Sequence, residues 1–328
     1  MIGVQLVIKI GLIGYRNHAS RLLRLLEQRS DCKLDFIYHP TKLFKDPRAT
    51  NNLSELFECD AILIASPNHT HYEYLEKLLK KFKGYIFCEK PPVTSLMEIE
   101  KLEKLDVGKK SRIFFNFNYR FSEINNNLIN QLKSASIGKI IHINMIYTQG
   151  LAFKKEYEKS WRADGEKNLH NISETVSIHY LDLLNLHFGN IKKLFYFPRL
   201  VSKNGTSYDT SYFTLQYDTG VTASILNSYA SPSIDEITII GTNGYFTIKN
   251  NELSIYSPRD TFNSKGFFIS PPIIEKCSFS MENDYQNSLQ KSLDYFISHV
   301  KEMTPIDLGH FNASLRTNKM ILNLIKQK

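Results

Sequence analysis

Cysteine is scarce in this chain, and the little there is follows no pairing pattern. Cys32, Cys59, Cys88 and Cys277 are scattered without a C-x-x-C pair. That spacing argues against a disulfide framework and against a zinc site. Cys59 and Cys88 border apolar runs expected to be strands, where core thiols commonly sit. No apolar stretch reaches the roughly 18 residues that a membrane helix needs. Lys9 interrupts the apolar N-terminus and no small-residue cleavage site follows, so Ile8–Gly14 fits a first strand better than a secretion signal. A cytoplasmic location is the expectation, with no membrane partner. Internal repeats and low-complexity tracts are also missing. So is a basic stripe interleaved with exposed aromatics. The formal net charge is +8, but the lysines are spread and mixed with acids, and the Lys77–Lys83 run reads as a solvated helix end. Nucleic acid is therefore not an expected partner. His69 and His71 lack the acids or cysteines that would complete a metal site, so no metal is expected.

What is present suits two globular domains. The chain has 328 residues, 42% hydrophobic and 23% charged, enough for two cores. Up to Phe121 the pattern alternates strand and helix. Strands are expected at Ile8–Ile13, Leu34–Tyr38, Ala61–Ala65, Tyr85–Cys88 and Ile113–Phe117. The run Ala61–Ala65 has no polar alternation, as expected of a strand buried on both faces. Thr70-x-x-Glu73 and Ser95-x-x-Glu98 predict capping boxes for the helices that follow. Beyond Phe121 the spacing predicts a helix at Ile124–Lys133, a strand at Ile140–Tyr147 and a helix from about Glu174 to Leu186. Short β segments fill Lys193–Tyr256. Their turns include Asp218-Thr219-Gly220 and the pair Asn243-Gly244, which favours a type I′ hairpin. Asp260–Ser280 shows no period and is expected to be a loop, while Tyr285–Val300 and Ala313–Ile325 return to helical spacing. The expected class is α/β: a doubly wound parallel Rossmann sheet over residues 1–121, then an α+β domain with a large, mostly antiparallel sheet over 122–328.

Polar side chains cluster where this topology would end its strands. Ser66-Pro67-Asn68-His69-Thr70-His71 follows one strand, and Glu89-Lys90-Pro91 follows another. Open α/β sheets bind ligands at that edge. Together with Asn118-Tyr119-Arg120-Phe121, Ile137-Gly138-Lys139-Ile140, His179-x-x-Asp182 and Gly241-Thr242-Asn243-Gly244, these residues resemble the Gfo/Idh/MocA family of nicotinamide-dependent sugar and polyol oxidoreductases. The resemblance covers essentially the whole chain. It implies NAD or NADP as cofactor, a small sugar-like substrate, and a homo-oligomer (dimer or tetramer) formed through the C-terminal sheet.

The cofactor loop departs from the usual G-x-G-x-x-G/A fingerprint. In Gly14-Tyr15-Arg16-Asn17-His18-Ala19, Gly14 and Ala19 fit the first and third positions, but Arg16 holds the second. Either Arg16 swings aside to pair with a cofactor phosphate, or it crowds the pyrophosphate and weakens the site. The expected second strand ends in His39-Pro40-Thr41-Lys42, without the acid that NAD-selective sites usually place there. His39, Thr41, Lys42 and Arg16 suit a 2′-phosphate instead, which leans the cofactor slightly toward NADP.

Lys90 is the leading catalytic candidate, since hydride transfer at a hydroxyl-bearing carbon needs a group that exchanges the hydroxyl proton. The resemblance makes Lys90 the family's active-site lysine, with Glu89 orienting it or meeting the nicotinamide ribose. The expected cofactor contacts are Gly14, Tyr15, Arg16, Asn17, His39, Lys42, Ser66, Pro67, Asn68, His71, Glu89 and Lys90. His179 is the second candidate. The family typically has an acid four residues before this histidine, but Thr175 stands there, with Glu174 beside it. Only a local irregularity of the helix would bring Glu174 round. Lys90, Tyr119, Trp161, Arg162, Thr175 and His179 are expected to meet the substrate, Arg162 through a carboxylate or phosphate. The expected activity is NAD(P)-dependent hydride transfer on a hydroxyl or keto carbon of a sugar, cyclitol or nucleotide-sugar. The alternative is a regulatory protein that binds nucleotide or sugar without turnover.

Overall fold

The computed structural model of the protein describes residues 7–15, 18–41, 44–134 and 136–326. Two compact units emerge. One is the chain up to Phe117 together with residues from Gln290 onward, and the other is Asn118–Leu289.

The first unit carries β1 (Ile8–Ile13), α1 (His18–Glu27), β2 (Cys32–Tyr38), β3 (Ala49–Thr50), β4 (Ala61–Ile64), α2 (His71–Lys81), β5 (Tyr85–Glu89), α3 (Leu96–Glu103), α4 (Val107–Lys110) and β6 (Ile113–Asn116). Its six strands are parallel, in the order β3-β2-β1-β4-β5-β6. Every residue of β4 and β6 is buried, which is why these strands read as unbroken apolar runs. Cys32, Cys59 and Cys88 are buried and unpaired, while Cys277 is exposed.

The second unit opens with α5 (Glu123–Lys133), β7 (Ile140–Thr148) and α6 (Gly165–Asn168). A single π-helical turn, Ser173–Ser177, then leads into α7 (Ile178–Phe188). The strands β8 (Ile191–Arg199), β9 (Thr210–Tyr217), β10 (Thr222–Ser228), β11 (Ile234–Gly241), β12 (Tyr245–Lys249), β13 (Glu252–Tyr256) and β14 (Ile273–Ser278) follow. With β7 they form an eight-stranded sheet, ordered β14-β13-β12-β11-β7-β10-β9-β8. Only β7 and β10 pair in parallel. The chain ends in α8 (Met281–Glu302) and α9 (Leu308–Lys326).

Several expectations need correction. Residues from Gln290 on were expected in the second domain, but they pack with the first unit. Phe296 lies with its ring 5.4 Å from that of Phe87, and Phe311 lies 5.3 Å from Phe115. The Asn318 carboxamide accepts the backbone N–H of Val93 at 3.0 Å. An apolar face at helical spacing announces burial, but it does not say which sheet will cover it. Ser95 and Glu98 form the expected capping box. Thr70 does not: its hydroxyl donates to Ser66 Oγ and Pro67 O, both at 2.7 Å, within a short turn that precedes α2. The two successive residues with left-handed backbone, as a type I′ hairpin requires, are Asn250 (φ 52°) and Asn251 (φ 59°), between β12 and β13. Gly244 is needed for a different reason, because a Cβ there would lie 2.1 Å from the carbonyl oxygen of Tyr256. The expected loop 260–280 contains β14, an edge strand exposed along its whole length, so no alternation marked it.

Candidate functional site

In the first unit, three strand ends and one helix start are tied together by polar side chains. Gly14 turns the chain after β1 with φ +113°, and a Cβ there would lie 2.7 Å from the carbonyl of Ala65. Only glycine accepts both the backbone conformation and the close approach. Tyr15 stacks on Phe44 at 3.7 Å. Arg16, Asn17 and Lys42 lie outside the described residues. His39 turns its Nδ1 toward the backbone N–H of Thr41 at 3.3 Å.

The end of β4 is fixed by His71. Its ring lies between two carbonyls, Pro91 O at 2.8 Å from Nδ1 and Ser66 O at 2.9 Å from Nε2. Burial holds its pKa below the ordinary value despite those two bonds, so the neutral ring donates to one carbonyl at a time. It thereby ties the β4 end to the β5 end, which is a structural job for a residue expected to meet cofactor. The Pro67 carbonyl accepts from the Thr70 backbone. Asn68 is buried, and its Nδ2 has no partner among the described residues.

At the end of β5, Glu89 is buried and Lys90 is partly buried, and the Lys90–Pro91 bond is cis. Glu89 Oε1 accepts from His18 Nε2 and from Asn116 Nδ2, each at 2.7 Å. Burial pushes this carboxyl up, but His18, the Asn116 amide and nearby Lys90 outweigh it and leave the pKa below the usual range. Glu89 is therefore a carboxylate, and because it can only accept, the His18 nitrogen is the donor. Sequence reasoning missed His18 and Asn116. Asn116 was findable, because it ends β6 at the same sheet edge as Glu89.

The second unit holds its candidates differently. His179 is buried on α7, and its ring stacks on Tyr119 at 4.7 Å with 26° between planes. Burial drives the Tyr119 phenol far up, and the ring also packs against Tyr180 and Tyr285. These contacts suit Tyr119 to support His179, a role beside the substrate contact expected of it. Asp182, one turn on, takes both Arg120 Nε and Nη2 at 2.7 Å in a buried bidentate pair. Arg162 stacks on Trp161, its guanidinium carbon 4.5 Å from the ring.

The irregularity before His179 exists, in the form of the π turn Ser173–Ser177. Thr175 Oγ1 donates to Asn171 O at 2.6 Å and lies 2.9 Å from the Tyr229 hydroxyl. Arg162 interacts with the same phenol, so Thr175, Tyr229 and Arg162 form one polar group. Glu174 is buried and accepts from Asn168 Nδ2 at 2.7 Å, and burial pushes its carboxyl up to about 7. Lys90 belongs to the first unit and His179 to the second. No group of three or more metal-ligating side chains occurs among the described residues, and no helix there is long and apolar enough to cross a membrane.

A parallel sheet in the order 3-2-1-4-5-6, with a glycine turn after β1 and polar groups at the strand ends, defines a dinucleotide-binding unit of the Rossmann type. Residues 8–117 match the model described as the oxidoreductase family with NAD-binding Rossmann fold, and residues 127–247 match the GFO/IDH/MocA C-terminal domain. The chain belongs to the Gfo/Idh/MocA family. It is 22% identical over 164 residues to a putative oxidoreductase, YteT, of Bacillus subtilis, covering 48% of this chain and 36% of that protein. It is 33% identical over 100 residues to a myo-inositol 2-dehydrogenase of Thermotoga maritima, covering 30% and 28%. The alignments thus span about a third of these curated relatives. An oxidoreductase from Agrobacterium radiobacter, solved with NAD+, L-tartaric acid and magnesium, shares the fold at a TM-score of 0.74 and 18% identity, covering 95% of this chain and 94% of that one.

The residues at the first unit's edge fit the family's dinucleotide. The cradle at Gly14 leaves no room for a Cβ, and two buried polar atoms there, Asn68 Nδ2 and Asn116 Oδ1, have no partner among the described residues.

Proposed function

We propose that this chain is an NAD(P)-dependent oxidoreductase acting on a hydroxyl or keto carbon of a sugar, cyclitol or nucleotide-sugar. The observation that carries this reading is the edge of β5, where Lys90 stands beside a buried carboxylate, Glu89, in a unit whose family binds NAD. Gly14, Ser66, Asn68 and Glu89 would hold the cofactor, which supplies a hydride acceptor or donor when bound. Lys90 does the protein's part of the chemistry. In oxidation its neutral amine takes the hydroxyl proton as the carbonyl forms, and in reduction the ammonium returns it. His179, oriented by the Tyr119 ring, assists the proton's passage. Arg162 meets an anionic or hydroxyl group of the substrate, and the lean toward NADP rests on His39, Arg16 and Lys42.

The apolar open face of the second sheet, with Phe195, Phe197, Tyr212 and Ile240 exposed, supports a homo-oligomer formed through that sheet. Four unpaired cysteines suit a reducing compartment, and we place the protein in the cytoplasm.

Thr175 favours a second reading, binding without turnover, because its hydroxyl cannot supply the charge that an acid would lend His179. A panel of sugars, cyclitols and nucleotide-sugars, with NAD(H) and NADP(H) and the Lys90→Ala variant alongside, separates the two. The oxidoreductase reading expects turnover of at least one substrate, lowered by about 100-fold or more in Lys90→Ala, with cofactor affinity retained within a few-fold. Cofactor binding with no turnover on any substrate would favour the regulatory reading.

A further inference from the structure

Glu89 and Asn116 are parallel partners at the ends of β5 and β6, so their side chains leave the sheet on the same face. One carboxylate oxygen, Oε1, takes both available donors, His18 Nε2 and Asn116 Nδ2. Oε2 takes no protein partner among the described residues, and the Asn116 carbonyl oxygen, Oδ1, is buried there without one. Asn116 is 1% exposed and Glu89 5%, so both acceptors belong to side chains almost fully removed from bulk water. A buried acceptor left unmade costs about 1–3 kcal/mol, and such an atom at a ligand-binding edge calls for a donor from outside the chain.

His18 creates this arrangement. It is the first residue of α1, a helix with no acid in its first turn, where a helix N-terminus favours negative charge. Glu89 supplies the carboxylate from another strand, and the imidazole is the link. Without that link the Glu89 carboxylate has one fewer donor on Oε1 and is free to rotate. With it, Oε1 is occupied on two sides, while Oε2 remains an acceptor on a side chain whose neighbour in the sheet, Asn116, has its Oδ1 unpartnered among the described residues.

Resting on the NAD(P) reading above, we propose that His18 is a positioning residue: it clamps Glu89 through Oε1, so that Glu89 Oε2 and, from the neighbouring strand, Asn116 Oδ1 are held as acceptors for the hydrogen-bond donors of the nicotinamide nucleoside. Those donors are the ribose hydroxyls or the carboxamide N–H groups. The adenosine diphosphate half of the cofactor has a ribose of its own but no nicotinamide nucleoside, and this pair does not read it.

Calorimetric titration of the intact protein with NADH, ADP-ribose and ADP tests the proposal and distinguishes the two donor sources. In His18→Leu, NADH affinity is expected to fall by about tenfold or more while ADP affinity stays within about twofold. A parallel loss with ADP-ribose assigns the site to the ribose hydroxyls, and a loss confined to NADH assigns it to the carboxamide. His18→Gln, which keeps a neutral N–H donor, should recover most of the NADH affinity. Asn116→Ala should reproduce the selective loss, so a His18→Leu chain that fails to fold does not shelter the idea. If both variants lose ADP affinity as strongly as NADH, or lose neither, the acceptor pair does not read the nicotinamide nucleoside and the proposal fails. A wild-type protein that binds none of the three ligands instead overturns the cofactor reading beneath it.

Discussion

The two units hold their candidate residues by opposite means. In the first, function sits at the ends of parallel strands, and neighbours in the sheet are neighbours in the site. Glu89 and Asn116 are register partners, and His71 ties the carbonyls that follow β4 and β5. In the second, His179 lies on a helix flank and is set by contacts remote in sequence. Its ring rests on Tyr119, and the Arg120–Asp182 pair beside it joins residues 62 apart. A parallel sheet therefore positions chemistry through topology, whereas the antiparallel unit relies on a few buried polar contacts. The second arrangement should be the easier one to break by a single substitution.

The largest effect is expected at Asp182. Its carboxylate and the Arg120 guanidinium are almost wholly buried, with side chains 2% and 7% exposed. Asp182→Ala removes both charged bonds at once and should lower unfolding stability by ~3–5 kcal/mol in denaturant titration. Replacing the pair together, as Arg120→Met with Asp182→Leu, should recover most of that loss. A cost below about 1 kcal/mol for Asp182→Ala would mean that this pair does not hold the second unit's helix.

A smaller effect of opposite sign is expected one helix turn before His179. Glu174 titrates at about 7 in the fold against an ordinary value of 4.5, because burial disfavours its charge. Below the lower value both folded and unfolded chains carry the proton, and the residue costs nothing. As pH rises from there toward 7, the folded chain keeps a proton that the unfolded chain has lost, so stability falls. Glu174→Gln, whose amide oxygen can still accept from Asn168, should leave stability at pH 4 unchanged. It should add on the order of 2–3 kcal/mol above pH 7. Thermal melts across that range check it, and a gain that does not vary with pH would mean that the carboxyl is not the source.

How much of this was legible beforehand follows the same division. The strands β4 and β6 were readable almost to the residue, since burial on both faces writes itself as an apolar run, and β1 was readable despite the exposed Lys9 within it. Glu89 and Lys90 followed from where β5 had to end. His18 was not readable, because nothing local says that the first residue of α1 reaches a carboxylate 71 residues away. The π turn was conceivable only as an unspecified irregularity, since Ser173–Ser177 has no composition that distinguishes it from an α-helix. Tyr285–Val300 and Ala313–Ile325 were recognisably helical, but their covering sheet was decided by Phe296 and Phe311 meeting partners far upstream. The Asn-Gly pair marked the β11–β12 hairpin correctly but not its turn type, because Gly244 is required by a close backbone approach and not by a left-handed backbone.

The most direct test of the account is a fluorescence titration of the whole protein with NADH and NADPH, beside Gly14→Val. The account expects saturable binding of at least one cofactor in the micromolar range. It also expects that binding to be lost in the variant, because the added side chain meets both the φ of +113° and the Ala65 carbonyl. No binding of either cofactor at millimolar concentration, or undiminished binding by Gly14→Val, would contradict the claim that the edge of the parallel sheet is a working dinucleotide site.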